Sequence, residues 1–179
     1  MSINRRTFTA VAAASGAAIV LVGPEALIQG ARQAQGADPP DPNDLKEDNK
    51  AKLAKEPFSI GAPARYREPG LYQDFKRDKG VWIVSDGKTL VALSATCTHL
   101  ACTTHWDSVK QQFKCPCHNS RFSLGGVNQE GSKAKRPLER CSVRLVQTQS
   151  GMEIVVDPTR RLRQDRGEWS DPAASAPLT

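Results

Sequence analysis

From Phe58 onward the chain runs in short apolar stretches set between turn residues, the pattern of antiparallel β-structure. Val81-Trp82-Ile83-Val84 and Thr89-Leu90-Val91-Ala92-Leu93 flank Ser85-Asp86-Gly87-Lys88, and Asp-Gly between two such runs predicts a hairpin. Gln112-Phe113-Lys114 and Arg121-Phe122-Ser123-Leu124 predict two further short strands, the second ending at the Gly125-Gly126 turn. Ser142-Val143-Arg144-Leu145-Val146 and Met152-Glu153-Ile154-Val155-Val156 predict a second hairpin turned at Ser150-Gly151. Asp157-Pro158 is expected to close its last strand, leaving residues 161–179 as an extended tail. No internal repeat is present. The expected fold is all-β: a small antiparallel domain over residues 58–160 with loops projecting at one end.

The chain before Phe58 has another texture. Arg5-Arg6 stands two residues before Phe8, and an Ala-rich apolar run covers residues 10–22, the order of a twin-arginine export signal. Residues 1–36 are therefore expected to be a signal or a signal-anchor helix. Ala34-Gln35-Gly36 offers small residues for cleavage, whereas residues 8–22 could stay as an anchor, short beside the ~20 residues of a spanning helix. Pro39, Pro40 and Pro42 among aspartates, then the charged stretch 44–56, mark residues 37–57 as a hinge or linker.

Composition adds limits. The 179 residues leave room for one compact domain with extensions, and 39% hydrophobic with 25% charged content excludes a polytopic membrane protein. Net charge is +6, and only three of the 25 basic and one of the 19 acidic residues precede residue 37. Basic residues are dispersed apart from Lys133-Ala134-Lys135-Arg136 and Arg160-Arg161-Leu162-Arg163, with no aromatic-interleaved stripe, so a nucleic-acid partner is not expected. The clusters suit a solvated face or an acidic protein partner.

The chemistry lies in two segments, Cys97-Thr98-His99-Leu100-Ala101-Cys102 and Cys115-Pro116-Cys117-His118-Asn119-Ser120. Cys97, His99, Cys115 and His118 offer two thiolates and two imidazoles, the donor set of a 2Fe-2S centre in which imidazoles replace thiolates on one iron. Cys97 and Cys115 would then hold the inner iron, His99 and His118 the outer one. Neutral imidazoles lower the negative charge of such a centre, so it takes an electron more readily, at about −150 to +300 mV against about −400 mV for all-cysteine plant-type clusters. Imidazoles bound to oxidised iron release their outer protons more easily, so electron and proton uptake are coupled, as a hydroquinone donor requires. Zinc sites space their ligands as Cys-x2–4-Cys and His-x3–5-His, which neither segment does. Cys102 and Cys117 are left over; a disulfide between them would clamp the segments in the oxidising compartment that the export signal implies. Cys141 reads as a small buried apolar side chain, and His105 as a loop residue rather than a ligand.

These two boxes resemble those of the Rieske iron–sulfur family, and with the signal, hinge and hairpins the resemblance extends over most of residues 1–158. It is nearest to the Rieske subunits of quinol–cytochrome c reductases of the cytochrome bc type. The resemblance implies three stacked antiparallel sheets with a cluster-binding subdomain at the tip, held at the extracytoplasmic face of a membrane by an N-terminal anchor. It implies a cytochrome b-type subunit, a c-type cytochrome and quinol as partners, with the chain alone an electron carrier and the complex the enzyme. His118 would take the hydrogen bond from quinol, and the Ser120 hydroxyl would bond a bridging sulfide and raise the potential. Where the family commonly has Gly, this chain has Ala101 and Asn119; where high-potential members have a Tyr bonded to a ligand cysteine, it has Phe122. The latter implies a lower potential, suited to menaquinol. Ser132-Lys133-Ala134-Lys135-Arg136 replaces a Gly-Pro-rich third loop. The alternative is the Rieske small subunit of a periplasmic molybdenum oxidase such as arsenite oxidase, whose boxes typically lack Cys-Pro-Cys-His. A soluble Rieske ferredoxin or oxygenase component fits poorly with an export signal and the extra cysteine pair.

Overall fold

The computed structural model describes residues 52–178. The expected signal or anchor (1–36) and the linker as far as residue 51 lie outside the described residues. Among the described residues, no helix is long and apolar enough to cross a membrane.

The strands follow in order as β1 (Phe58–Gly61), β2 (Gly70–Tyr72), β3 (Val81–Ser85), β4 (Thr89–Ser94), β5 (His105–Asp107), β6 (Gln112–Lys114), β7 (Arg121–Ser123), β8 (Arg140–Thr148), β9 (Gly151–Leu162) and β10 (Ala176–Pro177). One helical turn, α1 (Lys76–Lys79), and short 3-10 turns complete the described elements. All pairing is antiparallel: one sheet has the order β1-β9-β8-β4-β3-β2 with β10 added along β4, and the other is β5-β6-β7.

Both predicted hairpins form. Asp86 turns β3 into β4 by accepting the N–H groups of Lys88 and Thr89 at 2.8 and 2.6 Å. Side chains alternate across a strand, and here the alternation feeds two cores. Val81, Ile83, Leu90 and Ala92 face one core with Ile60, Val143, Ile154 and Val156. Trp82, Val84 and Leu93 face the second with Phe113, Phe122, Cys97 and Cys115. The β3–β4 hairpin is therefore a middle layer packed on both faces. Three layers are present as the resemblance implies, but hydrogen bonds fuse two of them into one sheet. The join is narrow: β4 meets β8 only at Ala92–Cys141 and Leu93–Arg140.

Three-residue strands are short for a stable sheet, and β5-β6-β7 is held by its apolar face. Trp106, Phe113 and Phe122 lie side by side in register, with Trp106 edge-on to Phe113 at 4.9 Å. Trp82 packs against Phe113 at 5.3 Å and donates its indole N–H to Thr104 Oγ1 at 3.1 Å. Aromatic cross-strand pairs of this sort each add about 0.2–1 kcal/mol. His105, expected in a loop, is a β5 residue opposite Lys114.

The C-terminal expectation is corrected. β9 does not stop at Asp157-Pro158 but runs to Leu162. A bulge at Cys141/Ser142 sets Ser142 opposite Asp157 and Cys141 opposite Arg161, so Pro158, which has no N–H to give, sits where the ladder is interrupted. Nor is the segment after it an extended tail. It descends through short 3-10 turns and adds β10 to β4, Ala176 opposite Leu90, with Leu178 N–H bonded to Lys88 O at 2.8 Å. Ala174, Ala176 and Leu178 are buried against the first core. At the other end Leu53 already packs on that core and Ala54 N–H bonds Lys79 O, so the chain joins the fold before Phe58. Deleting residues 175–179 is accordingly expected to destabilise the domain by at least about 2 kcal/mol in denaturant titration, since a buried leucine goes with the strand; a loose tail would cost nothing.

Candidate metal centre

The two cysteine–histidine segments fold into the same loop. Cys97 N–H donates to Cys102 O at 2.8 Å and Ala101 N–H returns to Cys97 O at 3.0 Å; Cys115 N–H donates to Ser120 O at 2.8 Å and Asn119 N–H returns to Cys115 O at 3.0 Å. Ala101 and Asn119, equivalent in the two loops, have φ of 60° and 58°. The turn requires a left-handed residue there, which explains why Gly is the easier choice and Asn the next. Ala101 carries the steric cost.

Closing the loops this way curls backbone donors around each sulfur. His99 and Leu100 N–H point at Cys97 Sγ, and Cys117 and His118 N–H at Cys115 Sγ. Both sulfurs are buried at 1% exposure, at the base of the loops. The Cys115 thiol donates to the Cys97 sulfur, which draws Cys97 down to about 6 against the opposing effect of burial. Cys115, as the donor of that bond and itself buried, is held far above the ordinary thiol range. The cradle thus favours negative charge on sulfur. Ser120 is fully buried: its Oγ accepts Ala134 N–H at 3.1 Å and its hydroxyl bonds the Cys97 sulfur.

The imidazoles stand at the loop tips. His99 is half-buried and His118 exposed, their rings nearly perpendicular with centroids 4.8 Å apart. His99 Nδ1 is buried and has no hydrogen-bond partner. A buried polar atom left unpaired costs about 1–3 kcal/mol and marks an absent partner. Two sulfurs in N–H cradles and two adjacent imidazoles, one with an orphaned nitrogen, fit a diiron cluster with mixed sulfur and nitrogen ligation. The sulfurs of Cys102, Cys115 and Cys117 also lie within 4.8 Å of one another, but Cys102 and Cys117 are bonded together, leaving only Cys115 of that trio free to ligate.

The Cys102–Cys117 disulfide joins the loops, Cα to Cα 6.6 Å. Cys141 is free and fully buried in the other core, where burial pushes its thiol up to about 12. Two supports were invisible to sequence reasoning because they span long stretches of chain. Thr98 Oγ1 donates to Arg136 O at 2.7 Å, and Ser132 Oγ accepts Arg121 N–H at 3.1 Å. With the Ser120–Ala134 bond, they tie the third loop to both cysteine loops. Gly126, at φ 84°, turns the chain out of β7; a methyl there would lie 3.0 Å from Leu93.

Comparisons with known proteins agree with this geometry. Residues 64–148 match the family described as the Rieske 2Fe-2S domain. The cytochrome b6-f complex iron-sulfur subunit of Chlorobaculum tepidum is 39% identical over 75 residues, 42% of this chain and 40% of that one. The menaquinol:cytochrome c reductase iron-sulfur subunit of Bacillus subtilis is 30% identical over 90 residues, 49% of this chain and 53% of that one. Its counterpart in Geobacillus thermodenitrificans is 28% identical over 113 residues, 61% of this chain and 63% of that one. The chain thus spans roughly half the length of these relatives. A solved cyanobacterial plasma membrane Rieske protein from Synechocystis aligns at 22% identity over 54% of this chain and 97% of that one, with a TM-score of 0.35. Two matched cysteine–histidine loops on a β-scaffold, together with the family match, make residues 64–148 of this chain a Rieske 2Fe-2S domain.

Proposed function

We propose that the chain is the electron-transferring iron–sulfur subunit of a quinol-oxidising membrane complex, working between a cytochrome b-type subunit and a c-type cytochrome. The observation that carries this reading is the buried-to-exposed gradient of the donor set, from sulfurs at 1% exposure to the solvent-facing His118. The names of the relatives support the same class of complex.

In this reading Cys97 and Cys115 would hold one iron of the cluster and His99 and His118 the other. When bound, a cluster of this ligand set accepts one electron at about −150 to +300 mV. The residues do the rest. N–H groups of residues 99, 100, 117 and 118 spread negative charge on the sulfurs, and the Ser120 hydroxyl adds one donor to Cys97. The exposed His118 receives the hydrogen bond of a quinol hydroxyl and takes its proton as the electron leaves. The chain alone carries electrons; the quinol site needs the cytochrome b-type partner. The disulfide favours the extracytoplasmic side, since such bonds persist in oxidising compartments.

Phe122 is fully buried in the same apolar cluster as Cys97 and Cys115, and its ring offers the sulfurs no hydroxyl. This suits a low-potential donor, and two relatives are named for menaquinol.

Iron and acid-labile sulfide in the purified chain, with a reduced EPR spectrum of lower average g than all-cysteine ferredoxins, are the expected signatures. His118→Ala should abolish that spectrum, and an all-cysteine type of signal in the parent protein would defeat the ligand assignment. Phe122→Tyr should raise the midpoint in protein-film voltammetry by on the order of 40 mV, as expected if a new hydrogen bond favours the reduced state by about 1 kcal/mol. Replacing Cys102 and Cys117 together by Ser should cost about 2–4 kcal/mol of stability and speed cluster loss on heating.

A further inference from the structure

The third loop is built as a charged rim for the metal centre. Along residues 132–135 burial alternates: Ser132 and Ala134 are buried while Lys133 and Lys135 are exposed. The inward residues are the ones bonded to the cysteine loops, Ser132 Oγ to Arg121 N–H and Ala134 N–H to Ser120 Oγ. Arg136 O receives the Thr98 hydroxyl, one residue from His99. Each lysine is therefore one residue from an atom anchored to the site, and its Cα is held within about 4 Å of that anchor's residue. The loop cannot swing its charges away without breaking these bonds.

The charges are also unspent. Lys133 and Lys135 make no ion pair within the described residues, and neither does Lys114, exposed beside Cys115 at the end of β6. Glu139, the acid that could have neutralised the loop, is occupied by Arg136 at 3.5 Å and by Arg161 at 3.1 Å. Residues 95–139 hold six basic side chains against three acidic ones, Asp107, Glu130 and Glu139. Six minus three leaves +3 in this stretch, most of the +4 carried by residues 37–179.

We propose that Lys133 and Lys135, with Lys114 next to Cys115, form the docking face for an electron acceptor whose own redox centre opens on an acidic protein surface. This rests on the proposed function and names the kind of partner that the electron goes to. Exposed opposite charges steer encounter, raising association rates by about 10–10³-fold at low salt, and the gain fades as the Debye length shrinks. A membrane surface is the less suited occupant, because a bilayer seated on this rim would also cover His118, where donor and acceptor must meet.

The test is stopped-flow oxidation of the reduced, cluster-loaded full chain by two forms of one acceptor: a basic cytochrome c, and the same protein with its lysines succinylated to carboxylates. Each carries one electron from the chain to its haem iron. At low ionic strength the succinylated form should react at least tenfold faster, with the advantage disappearing by about 0.5 M salt. Lys133→Glu with Lys135→Glu should remove or invert that preference while the visible spectrum of the cluster is retained. Lys55→Glu with Lys88→Glu, an equal charge change with Lys88 at the far end of the β3–β4 hairpin, should preserve it. Equal rates for both acceptors in the parent chain, or a preference unmoved by the loop variant, would overturn the proposal. So would loop-dependent cosedimentation with phosphatidylglycerol vesicles accompanied by unchanged acceptor rates. Loss of reduction by quinol with charge-dependent oxidation intact would instead fail the functional reading and leave this one standing.

Discussion

Everything in this domain depends on how two cysteine sulfurs are kept buried and still favourable to negative charge. A bare thiolate in an apolar core is costly, and the fold offsets part of that cost with peptide N–H groups aimed at each sulfur. Each loop must close on itself to aim its donors, and each closes through the same pair of backbone bonds to its own cysteine. The positive φ at Ala101 and Asn119 is the geometric condition for that closure. Strain at two residues is therefore the counterpart of a polarised pocket, and it is tolerated because the loops are fastened at their tips and at their bases.

The rest of the molecule is scaffolding for those loops. A hairpin packed on both faces gives the small three-stranded sheet something rigid to stand on, with Trp82 reaching from one to the other. On the other face of that hairpin, β1, β8, β9 and the C-terminal strand close the first core. This division separates stability from chemistry. Changes in the first core should alter how long the domain survives, whereas changes in the second should alter what its metal centre does.

The candidate donors were legible because their information is local: each cysteine and histidine pair sits within four residues, and turn chemistry marks the hairpins as clearly. What escaped was carried by distance or by weak pattern. The strand at Ala176 follows apolar residues at every second position, 174, 176 and 178, but two of them are alanines inside a Ser- and Pro-containing stretch that resembles a tail. Pro158 looked like a stop because a ladder should not contain it; residues 158–160 bulge out of its own strand, so it has no ladder bond to give. How residues 132–136 are held could not be read, since Thr98 reaches Arg136 across 38 residues. Composition showed that the loop is basic, and only the tertiary bonds showed which side of it faces out.

The bond between Cys102 and Cys117 also bears on how the protein matures. Once formed, it takes Cys102 and Cys117 out of a trio of neighbouring sulfurs and leaves Cys115 as the one with a free thiol, so oxidation itself narrows which sulfur there can bind a metal.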